Sequence, residues 1–451
     1  MLPHVDRIAA TAEDRTAAGI AAAVNRLIKS GELPVGSRLP TVRVLAQALG
    51  TSPTTVNEAW RSLVRIGAVH TRGRNGSFVA DGRRASRPSR FWRIASAAGE
   101  FARDLSSGVP DPELLPALPG LARGPRLSGY LDSPVLPALE RLIRGSWGHD
   151  PECLTVVDGS LDAVDRVLTS LLSLGDVVVV ENPTFPPFLD LLEMVGARPL
   201  PVATDTDGMV PDALRAALAD GGVEPTAVLL QPRAHNPTGA SLTPARAGEL
   251  ARVLRTAAPG CVVVEDDHIG DIAVADPVSL AAWLPDRTVT ARSFSKAYGP
   301  DLRLAALGGP ATLVEPVIAR RNLGPAWSSR LLQQLLADML ADRGCAAAVA
   351  RAREVYARRR EALVAALAGR GVPVVGRDGF NLWLPVEHER DALVVLAAQG
   401  IGAAPGQPFL AAPVAGDHLR ITTATLAERD AAPVADALAD AARRGERPLH
   451  R

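Results

Sequence analysis

A lysine in the segment "ARSFSKAYGPDLRL" is the first residue that could carry covalent chemistry. The chain has 49 Lys and Arg residues, of which only Lys29 and Lys296 are lysines. Arginine keeps its proton in proteins, whereas lysine can become a neutral amine and form a Schiff base with an aldehyde. Lys296 is therefore a candidate for imine chemistry, and a lysine retained by chance is the alternative.

Other chemically capable side chains follow apolar, strand-like runs. The runs are "DVVVVENP", "TAVLLQPRAHNP", "CVVVEDDH" and "TVTARSFSK", and helical stretches alternate with them. This alternation is typical of a mostly parallel sheet covered by helices, in which ligands bind at the carboxyl ends of the strands. The packing of a hydrophobic core alone does not account for polar, chemically capable residues at the ends of four successive strands. We expect these residues to converge: Asn182, Phe185, Asn236, Asp266, His268, Ser293 and Lys296.

Five strings resemble, in chain order, the motifs of class I and II aminotransferases, which are fold-type I enzymes that use pyridoxal 5′-phosphate (PLP). They are "VVDGSLDAV", "ENPTFPP", "HNPTG", "VVVEDDHIGD" and "SFSKAYGPDLR". The resemblance extends from residue 104 to about residue 445. It implies an α/β fold, with a mostly parallel sheet covered by helices and a smaller C-terminal α/β subdomain. It also implies PLP as the cofactor and Lys296 as the catalytic residue that forms the internal aldimine.

The same resemblance assigns residues to the cofactor phosphate. Ser293 lies three positions before Lys296 and Arg303 lies seven positions after it. A hydroxyl and a guanidinium are suitable donors to a dianion. Gly159 and Ser160 would add backbone N–H groups at the start of the helix that follows.

The resemblance also assigns residues to the pyridine ring. Phe185 would stack on the ring, and Asn236 would hydrogen-bond to its phenolic oxygen, O3′. Asp266 would pair with the pyridinium nitrogen and keep it protonated, which makes the ring an electron sink. The tripeptide "EDD", taken by itself, is also consistent with a solvated acidic loop, which is the alternative. His268 stands where related proteins usually have tyrosine, and it is expected to donate to O3′.

Two further positions complete the resemblance to a cofactor and substrate site. "HLRITTA" is similar to the segment whose arginine binds a substrate α-carboxylate, so Arg420 would be a bidentate clamp. "LSGYLDSP" places Tyr130 where such enzymes direct a tyrosine into the phosphate site of the partner subunit. A tyrosine of the hydrophobic core is the alternative for Tyr130.

The N-terminal fifth of the chain is basic, although the formal net charge of the whole chain is zero. Residues 1–93 contain 15 Lys plus Arg and 6 Asp plus Glu. Such an excess is typical of nucleic-acid binding, and a solvated basic face is the alternative. Three helical patterns followed by "AVHTRGRNGSFVA", with two short β-like arms, predict a winged helix-turn-helix. Ser52 is suited to cap the longer helix, with Pro53 at its first position.

The stretch from Ser30 to Ala80 resembles the DNA-binding domain of the GntR family of bacterial transcription regulators. The resemblance implies that the helix starting near Ser52 enters the major groove, that Arg43 and the helix N-terminus hold phosphates, and that the wing approaches the minor groove. The alternative is that the polar residues of this region only cap helices and form a solvated face. The residues implied to contact DNA are Arg43, Thr54, Thr55, Asn57 and Gly76.

These patterns divide the chain into two domains and a linker. We expect a winged helix-turn-helix over residues 12–80, a linker over 81–103 and an aminotransferase-like domain over 104–445. As a flexible coil, a linker of this length spans roughly 26 Å. The linker region loses apolar periodicity and gains arginine.

Composition excludes several classes of protein. Cys153, Cys261 and Cys345 lie far apart without a CxxC motif, which argues against a disulfide framework or a metal site. The N-terminus lacks the apolar segment of a signal peptide, and apolar runs stop short of the ~18 residues that span a bilayer. A cytoplasmic location without a membrane partner is therefore expected.

A GntR-type domain joined to an aminotransferase-like domain resembles the MocR subfamily of transcription regulators. The implied function is a PLP-dependent regulator that binds double-stranded promoter DNA as a homodimer, arranged head to tail. Its large domain would sense PLP, or an amino acid or amine that forms an aldimine with PLP. An aminotransferase with an accessory DNA-binding module is the alternative, and a DNA-binding protein with an inert large domain is a third reading.

Overall fold

The molecule divides into an N-terminal helical part and a large α/β part. A computed structural model describes residues 4–12, 14–65, 68–71, 76–79, 90, 101–118, 129, 133–220, 224–374 and 376–443. Tyr130 lies outside the described residues, as do linker residues 81–89 and 91–100. No helix within the described ranges is both long and apolar enough to cross a membrane.

Four helices and a small hairpin form the N-terminal part. They are α1 (Val5–Thr11), α2 (Ala17–Lys29), α3 (Val42–Leu49), α4 (Pro53–Arg65), β1 (Val69–Thr71) and β2 (Ser77–Val79), and β1 pairs with β2 in antiparallel fashion. The sequence specifies the helix ends, because Ser52 Oγ accepts a hydrogen bond from the Thr55 backbone N–H (3.1 Å) and Gly50 ends α3 with φ +63°. Ile8 of α1 is fully buried in the hydrophobic cluster of this part.

The large part is built on an eight-stranded sheet of order β4-β11-β10-β9-β8-β5-β6-β7. Neighbours β10, β9, β8, β5 and β6 run parallel, and β4, β11 and β7 pair in antiparallel fashion. The four strands expected from the apolar runs are thus confirmed, and their carboxyl ends meet at one edge. The strands are β4 (Cys153–Val157), β5 (Val177–Asn182), β6 (Arg198–Asp205), β7 (Gly208–Met209), β8 (Ala227–Leu230), β9 (Val262–Asp267), β10 (Thr288–Ser293) and β11 (Ala305–Gly309).

Helices cover both faces of this sheet, and two separate hydrophobic clusters lie between them and the strands. Branched side chains such as Val178, Val180 and Val264 are almost completely buried, as expected for parallel strands. The helices are α5 (Pro137–Gly145), α6 (Ser160–Leu171), α7 (Pro186–Val195), α8 (Pro211–Asp220), α9 (Pro244–Ala257), α10 (Ser295–Tyr298), α11 (Ala311–Asn322) and α12 (Arg330–Ala341).

The long helix α13 (Arg343–Ala368) leads to the smaller C-terminal α/β subdomain, which the fold prediction anticipated. Its antiparallel sheet has the order β12-β15-β14, and α14 and α15 pack on it around a separate hydrophobic cluster. The elements are β12 (Asn381–Val386), α14 (Glu389–Ala398), β13 (Ile401–Gly402), β14 (Ala404–Pro405), β15 (Asp417–Thr422) and α15 (Ala431–Ala442).

A segment that begins at the last residue of the predicted linker, Arg103, ties into this subdomain. Strand β3 (Arg103–Asp104) pairs in parallel with β13, and the Thr422 backbone N–H donates to the Leu105 carbonyl oxygen (2.8 Å). Further along, the Tyr356 hydroxyl accepts from the Asp111 backbone N–H (2.9 Å). These contacts hold residues 103–111 along the cavity described next.

Candidate functional site

One cavity of about 610 Å³ lies at the carboxyl ends of the parallel strands. It is bounded by the large sheet, by the segment 106–110 and by the C-terminal subdomain. Nine of the residues singled out in the sequence line it: Ser160, Phe185, Asn236, Asp266, His268, Ser293, Lys296, Arg303 and Arg420. Asn182 was expected to join them, and that expectation is wrong. The Asn182 side chain instead bonds to the backbone of Ala411 and Ala412, with Oδ1 accepting from Ala411 (3.0 Å).

Lys296 enters the cavity from the short helix α10, which follows β10 directly. Burial, together with the nearby cations Arg420 and Arg303, lowers the pKa of Lys296 to about 8. The ammonium donates to the carbonyl oxygen of Gly108. A lysine with such a pKa is neutral more often near neutral pH than an ordinary lysine, and a neutral amine is the nucleophile that imine chemistry requires.

The N-terminus of α6 forms a concave site with Arg303. Gly159 is the N-cap residue of α6 and has φ +112°, which favours glycine. A Cβ atom at Gly159 would lie 2.9 Å from Arg303 Nη2, so the guanidinium would have to move to admit one. Arg303 itself adopts φ +49°, and its Nη2 donates to the Asp158 carbonyl oxygen (3.3 Å). A helix N-terminus beside a guanidinium is suited to bind an anion.

Asp266, at the end of β9, is buried on the cavity wall. Its Oδ2 accepts a hydrogen bond from Gln231 Nε2 (2.9 Å), and its buried Oδ1 has no partner among the described residues. Burial raises the pKa of Asp266, while His268, Gln231 and Ser160 oppose this change. A buried carboxylate oxygen without a partner is costly unless a ligand supplies a donor.

His268 has a fixed orientation. Its Nε2 lies 3.0 Å from the carbonyl oxygen of Ala234, so this nitrogen carries the proton and donates it to the carbonyl. Burial lowers the pKa of His268 and favours the neutral ring, in which Nδ1 is then an acceptor. Donation from His268 to a phenolic oxygen would require the protonated ring, because Nε2 is already bonded to the Ala234 carbonyl oxygen.

Phe185 and Asn236 lie on turns that follow β5 and β8. Phe185 is the N-cap residue of α7, and its ring packs edge-on against the Phe188 ring, with the ring centres 5.4 Å apart. The backbone N–H of Asn236 donates to Gln231 Oε1 (2.9 Å). Its buried side-chain oxygen has no partner within the described part of the chain. Both side chains line the cavity.

Arg420, on β15, lines the cavity from the C-terminal subdomain. It is buried above the Phe409 ring, and it donates through Nη2 to the Ser106 carbonyl oxygen. Burial lowers the pKa of Arg420 to about 10, although Asp104 opposes this change. Its Nε has no hydrogen-bond partner, and no carboxylate of the described residues forms an ion pair with it. A ligand carboxylate would satisfy this guanidinium.

Several cavity residues were missed in the sequence because they belong to no motif that was considered. Ser106, Gly108 and Phe380 come from segments far from the strand ends in sequence. Gln231 follows β8 and was within reach of the strand-end argument, because it precedes the "HNPTG" string by four residues. Its importance depends on contacts across strands, which spacing alone does not reveal.

The residues implied to contact DNA lie on α3, α4 and the hairpin. Arg43, Thr54 and Asn57 are exposed, whereas Thr55 is partly buried and uses its backbone N–H for the Ser52 cap. Gly76 begins the second arm of the hairpin with φ +97°. Arg38 was missed: its guanidinium lies beside Gly76, where a Cβ atom would approach Nε to 3.2 Å. This adds an exposed cation at the base of the wing.

Comparison with known families identifies two regions of similarity. The family described as "Aminotransferase class I and II" matches residues 97–438, and "Bacterial regulatory proteins, gntR family" matches residues 16–79. The chain is 35% identical over 424 residues to the vitamin B6 salvage pathway transcriptional repressor PtsJ of Salmonella typhimurium, covering 92% of this chain and 95% of that protein. It is 28% identical to the HTH-type transcriptional regulator TauR of Rhodobacter capsulatus, covering 85% and 87% of the two chains.

Solved structures show the same architecture for the large part. The α-aminoadipate aminotransferase LysN of Thermus thermophilus, complexed with N-(5′-phosphopyridoxyl)-L-leucine, superimposes with a TM-score of 0.68. The alignment covers 77% of this chain and 94% of that one at 24% identity. At this identity the likeness shows the fold.

Proposed function

The chain belongs to the class I and II aminotransferase family and carries a gntR-type regulatory domain, which makes it a regulator of the MocR subfamily, and from this premise we propose how it works. It is a PLP-dependent, DNA-binding transcription regulator. Its large domain binds PLP at the cavity around Lys296, and the ligand state of that cavity controls the affinity of the N-terminal domain for promoter DNA.

The observation that carries the proposal is the set of groups around Lys296. The α6 N-terminus lies beside the Arg303 guanidinium, which a Cβ atom at Gly159 would approach to 2.9 Å, and a helix N-terminus beside a guanidinium suits a phosphate. Asp266 and Asn236 line the cavity, and each has a buried side-chain oxygen without a partner among the described residues. The described residues therefore fit PLP.

Each residue then has a definite task. Ser293, Arg303 and the backbone N–H groups of Gly159 and Ser160 would bind the phosphate. Phe185 would stack on the ring, and Asn236 would bond to the phenolic oxygen. Asp266 would accept a hydrogen bond from the protonated ring nitrogen. PLP supplies an aldehyde that reacts with amines, and Lys296 is the amine that the chain presents to it.

Arg420 supports a carboxylate-bearing ligand as the regulatory signal. A buried guanidinium without an acidic partner is destabilising, and a ligand carboxylate would offset the cost. An amino acid bound in the cavity would provide such a group, whereas PLP alone would not. PLP itself remains the second candidate for the signal, because the name of the 35% identical relative refers to vitamin B6 salvage.

DNA binding follows from the N-terminal domain. We propose that α4 lies in the major groove through Thr54 and Asn57, that Arg43 contacts the phosphate backbone, and that the wing at Gly76 approaches the minor groove. A head-to-tail homodimer would present two such domains to a promoter with two half-sites. In such a dimer Tyr130 would reach the phosphate site of the partner subunit.

The test of the regulator is covalent capture of PLP together with DNA binding. Wild-type protein treated with PLP and borohydride should gain one phosphopyridoxyl group, and peptide mapping should place it on Lys296. Lys296→Ala should gain none at any residue of the cavity. A footprint on the promoter of the protein's own gene neighbourhood should change when PLP or an amino acid is added. A wild type that captures no PLP contradicts the proposal.

An aminotransferase with an accessory DNA-binding domain is the second candidate, and the complete set of cofactor residues favours it. The two functions are separated by turnover with an amino donor and a keto acid. Sustained turnover without any effect of ligands on DNA affinity supports the enzyme. A ligand-dependent footprint with negligible turnover supports the regulator.

A further inference from the structure

One amide side chain links two residues of the cavity that come from different strands. Gln231 Nε2 donates to Asp266 Oδ2 (2.9 Å), and Gln231 Oε1 accepts from the backbone N–H of Asn236 (2.9 Å). Gln231 is almost completely buried, so neither bond competes with bulk water. The two bonds also fix the amide orientation, because only the nitrogen can donate to a carboxylate and only the oxygen can accept from an N–H.

The backbone of Gln231 is held as firmly as its side chain. Its N–H donates to Glu181 Oε2 (2.8 Å), at the end of the neighbouring strand β5. The same carboxyl oxygen lies 3.4 Å from His235 Nε2. Burial raises the pKa of Glu181 to about 8 and lowers the pKa of His235 to about 3, which keeps both side chains uncharged near neutral pH. Gln231 is thus anchored in a neutral, buried network.

Glutamine is the residue type that this position requires. A carboxylate would place a like charge beside Asp266, and an apolar side chain would leave Asp266 Oδ2 and the Asn236 N–H without these hydrogen bonds. With Gln231 present, Asp266 Oδ1 has no partner among the described residues, and the Asn236 side-chain amide keeps its N–H groups, which can donate to a phenolic oxygen, because Gln231 bonds only to the Asn236 backbone. The Gln231 amide therefore holds both residues and leaves these groups to a ligand.

We propose that Gln231 is a positioning residue that fixes Asp266 and Asn236 as one unit, so that the contact to the ring nitrogen and the contact to the phenolic oxygen of PLP are mechanically coupled. This inference rests on the proposed function, because it takes PLP as the ligand. A shift of either residue is transmitted to the other through Gln231. Charge on the ring nitrogen and charge on the phenolic oxygen then respond together.

The coupling has a spectroscopic consequence. A donor to the phenolic oxygen and a proton on the ring nitrogen both favour the deprotonated phenolic oxygen. Loss of Gln231 weakens both contacts, so the pH midpoint of the visible absorption change of bound PLP should rise. The titratable groups around the Gln231–Asp266 pair remain in place in such a variant: Glu181 on β5, His235 after β8, Asp267 and His268 at the end of β9, and Lys296 on α10.

The experiment compares Gln231→Met with wild type and with Asn236→Ala, each loaded with PLP and titrated by absorption. We expect the midpoint to rise by about 1 pH unit in Gln231→Met and the PLP dissociation constant to rise roughly tenfold. The double variant Gln231→Met/Asn236→Ala should shift less than the sum of the single variants, because both act on one contact. Additive shifts, or an unchanged midpoint in Gln231→Met, overturn the inference.

A matched control and a second variant keep the result interpretable. Gln333 is also fully buried and also bonds on both sides, to Leu136 and to Ser328, so Gln333→Met controls for the loss of a buried amide. It should leave the midpoint unchanged. If Gln231→Met does not fold, Gln231→Asn keeps the amide but cannot reach both partners, and its midpoint should also rise. A wild type that captures no PLP refutes the proposed function, whereas capture with an unchanged midpoint in the Gln231 variants refutes only this inference.

Discussion

Nε2 of His268 lies 3.0 Å from the carbonyl oxygen of Ala234, and this contact determines what the imidazole can offer to a ligand. The proton on Nε2 is committed to the backbone, so a neutral His268 presents an acceptor at Nδ1. Tyrosine, which usually stands at this position in proteins that the chain resembles, presents a donor. At a position facing the phenolic oxygen of PLP, as the proposed function requires, the two side chains would have opposite effects on that oxygen.

The first prediction is that His268→Tyr lowers the pH midpoint of the visible absorption change of bound PLP. A hydroxyl donor stabilises the deprotonated phenolic oxygen, and a hydrogen bond of this kind changes the midpoint by about 1 pH unit. The measurement is an absorption titration of the PLP-loaded protein. His388→Tyr, at an exposed histidine before α14, is the control and should change nothing. A midpoint that rises in His268→Tyr contradicts the assignment of His268 as an acceptor.

The second prediction concerns the rate at which PLP is captured. Because the pKa of Lys296 is lowered to about 8, the second-order rate constant should increase as the pH rises through that value, where the neutral amine becomes dominant. Arg420 is one of the cations that lower this pKa, so Arg420→Met should move the midpoint to higher pH. Arg390→Met, at an exposed site on α14, should not. Stopped-flow absorption measures both, and a rate independent of pH between 7 and 9 would argue against a perturbed lysine.

The sequence was most informative where structure depends on local interactions. The Ser52 cap and the glycine at the end of α3 follow from neighbouring residues. The strand ends that carry Asp266 and Lys296 follow from apolar runs that parallel strands require. The missed features depend on contacts between distant segments: Gln231, which follows β8, with Asp266 on β9, and Arg38, which lies between α2 and α3, with Gly76 of the hairpin. The spacing of residues along the chain does not reveal such contacts.

Gly159 gives a third prediction, on the concave site at the start of α6. Alanine there is strained at φ +112° and brings its Cβ atom to 2.9 Å from Arg303 Nη2. We expect Gly159→Ala to lose about 1–3 kcal/mol of unfolding free energy and to bind PLP at least roughly tenfold more weakly. Denaturant unfolding and PLP titration measure the two effects.

The control separates backbone strain from the effect on Arg303. Gly416 also has a positive φ, +71°, but no atom lies within 4 Å of the position of its Cβ. Gly416→Ala should lose stability without weaker PLP binding. Equal PLP affinity in Gly159→Ala and Gly416→Ala would show that Arg303 and the α6 N-terminus do not form the phosphate site.

A fourth prediction tests whether Arg420 recognises a carboxylate. A Cβ atom at Gly108 would lie 2.8 Å from Arg420 Nη1, so Gly108→Ala displaces the guanidinium without changing its charge. PLP capture should persist, while the amino acid concentration needed to change the spectrum should rise roughly tenfold. Gly145→Ala, where nothing lies within 4 Å, is the control. If no amino acid changes the spectrum of the wild type, PLP itself is the signal.

The last prediction distinguishes phosphate contacts from base contacts in the DNA-binding domain. Arg43 is exposed on α3, and Asn57 is exposed on α4. If Arg43 binds a phosphate, Arg43→Ala should weaken binding to every DNA sequence alike and reduce the log–log salt slope by about 0.9. If Asn57 reads a base, Asn57→Ala should cost about 1–3 kcal/mol of binding free energy on the preferred promoter and little on unrelated DNA.

Arg390→Ala, at the exposed α14 position of the C-terminal subdomain, is the control for loss of a surface arginine. Fluorescence anisotropy at several salt concentrations measures all three variants, and the PLP spectrum should be the same in each. An unchanged salt slope in Arg43→Ala would remove Arg43 from the phosphate contacts, and the exposed Arg38 beside Gly76 would then be the next residue to test.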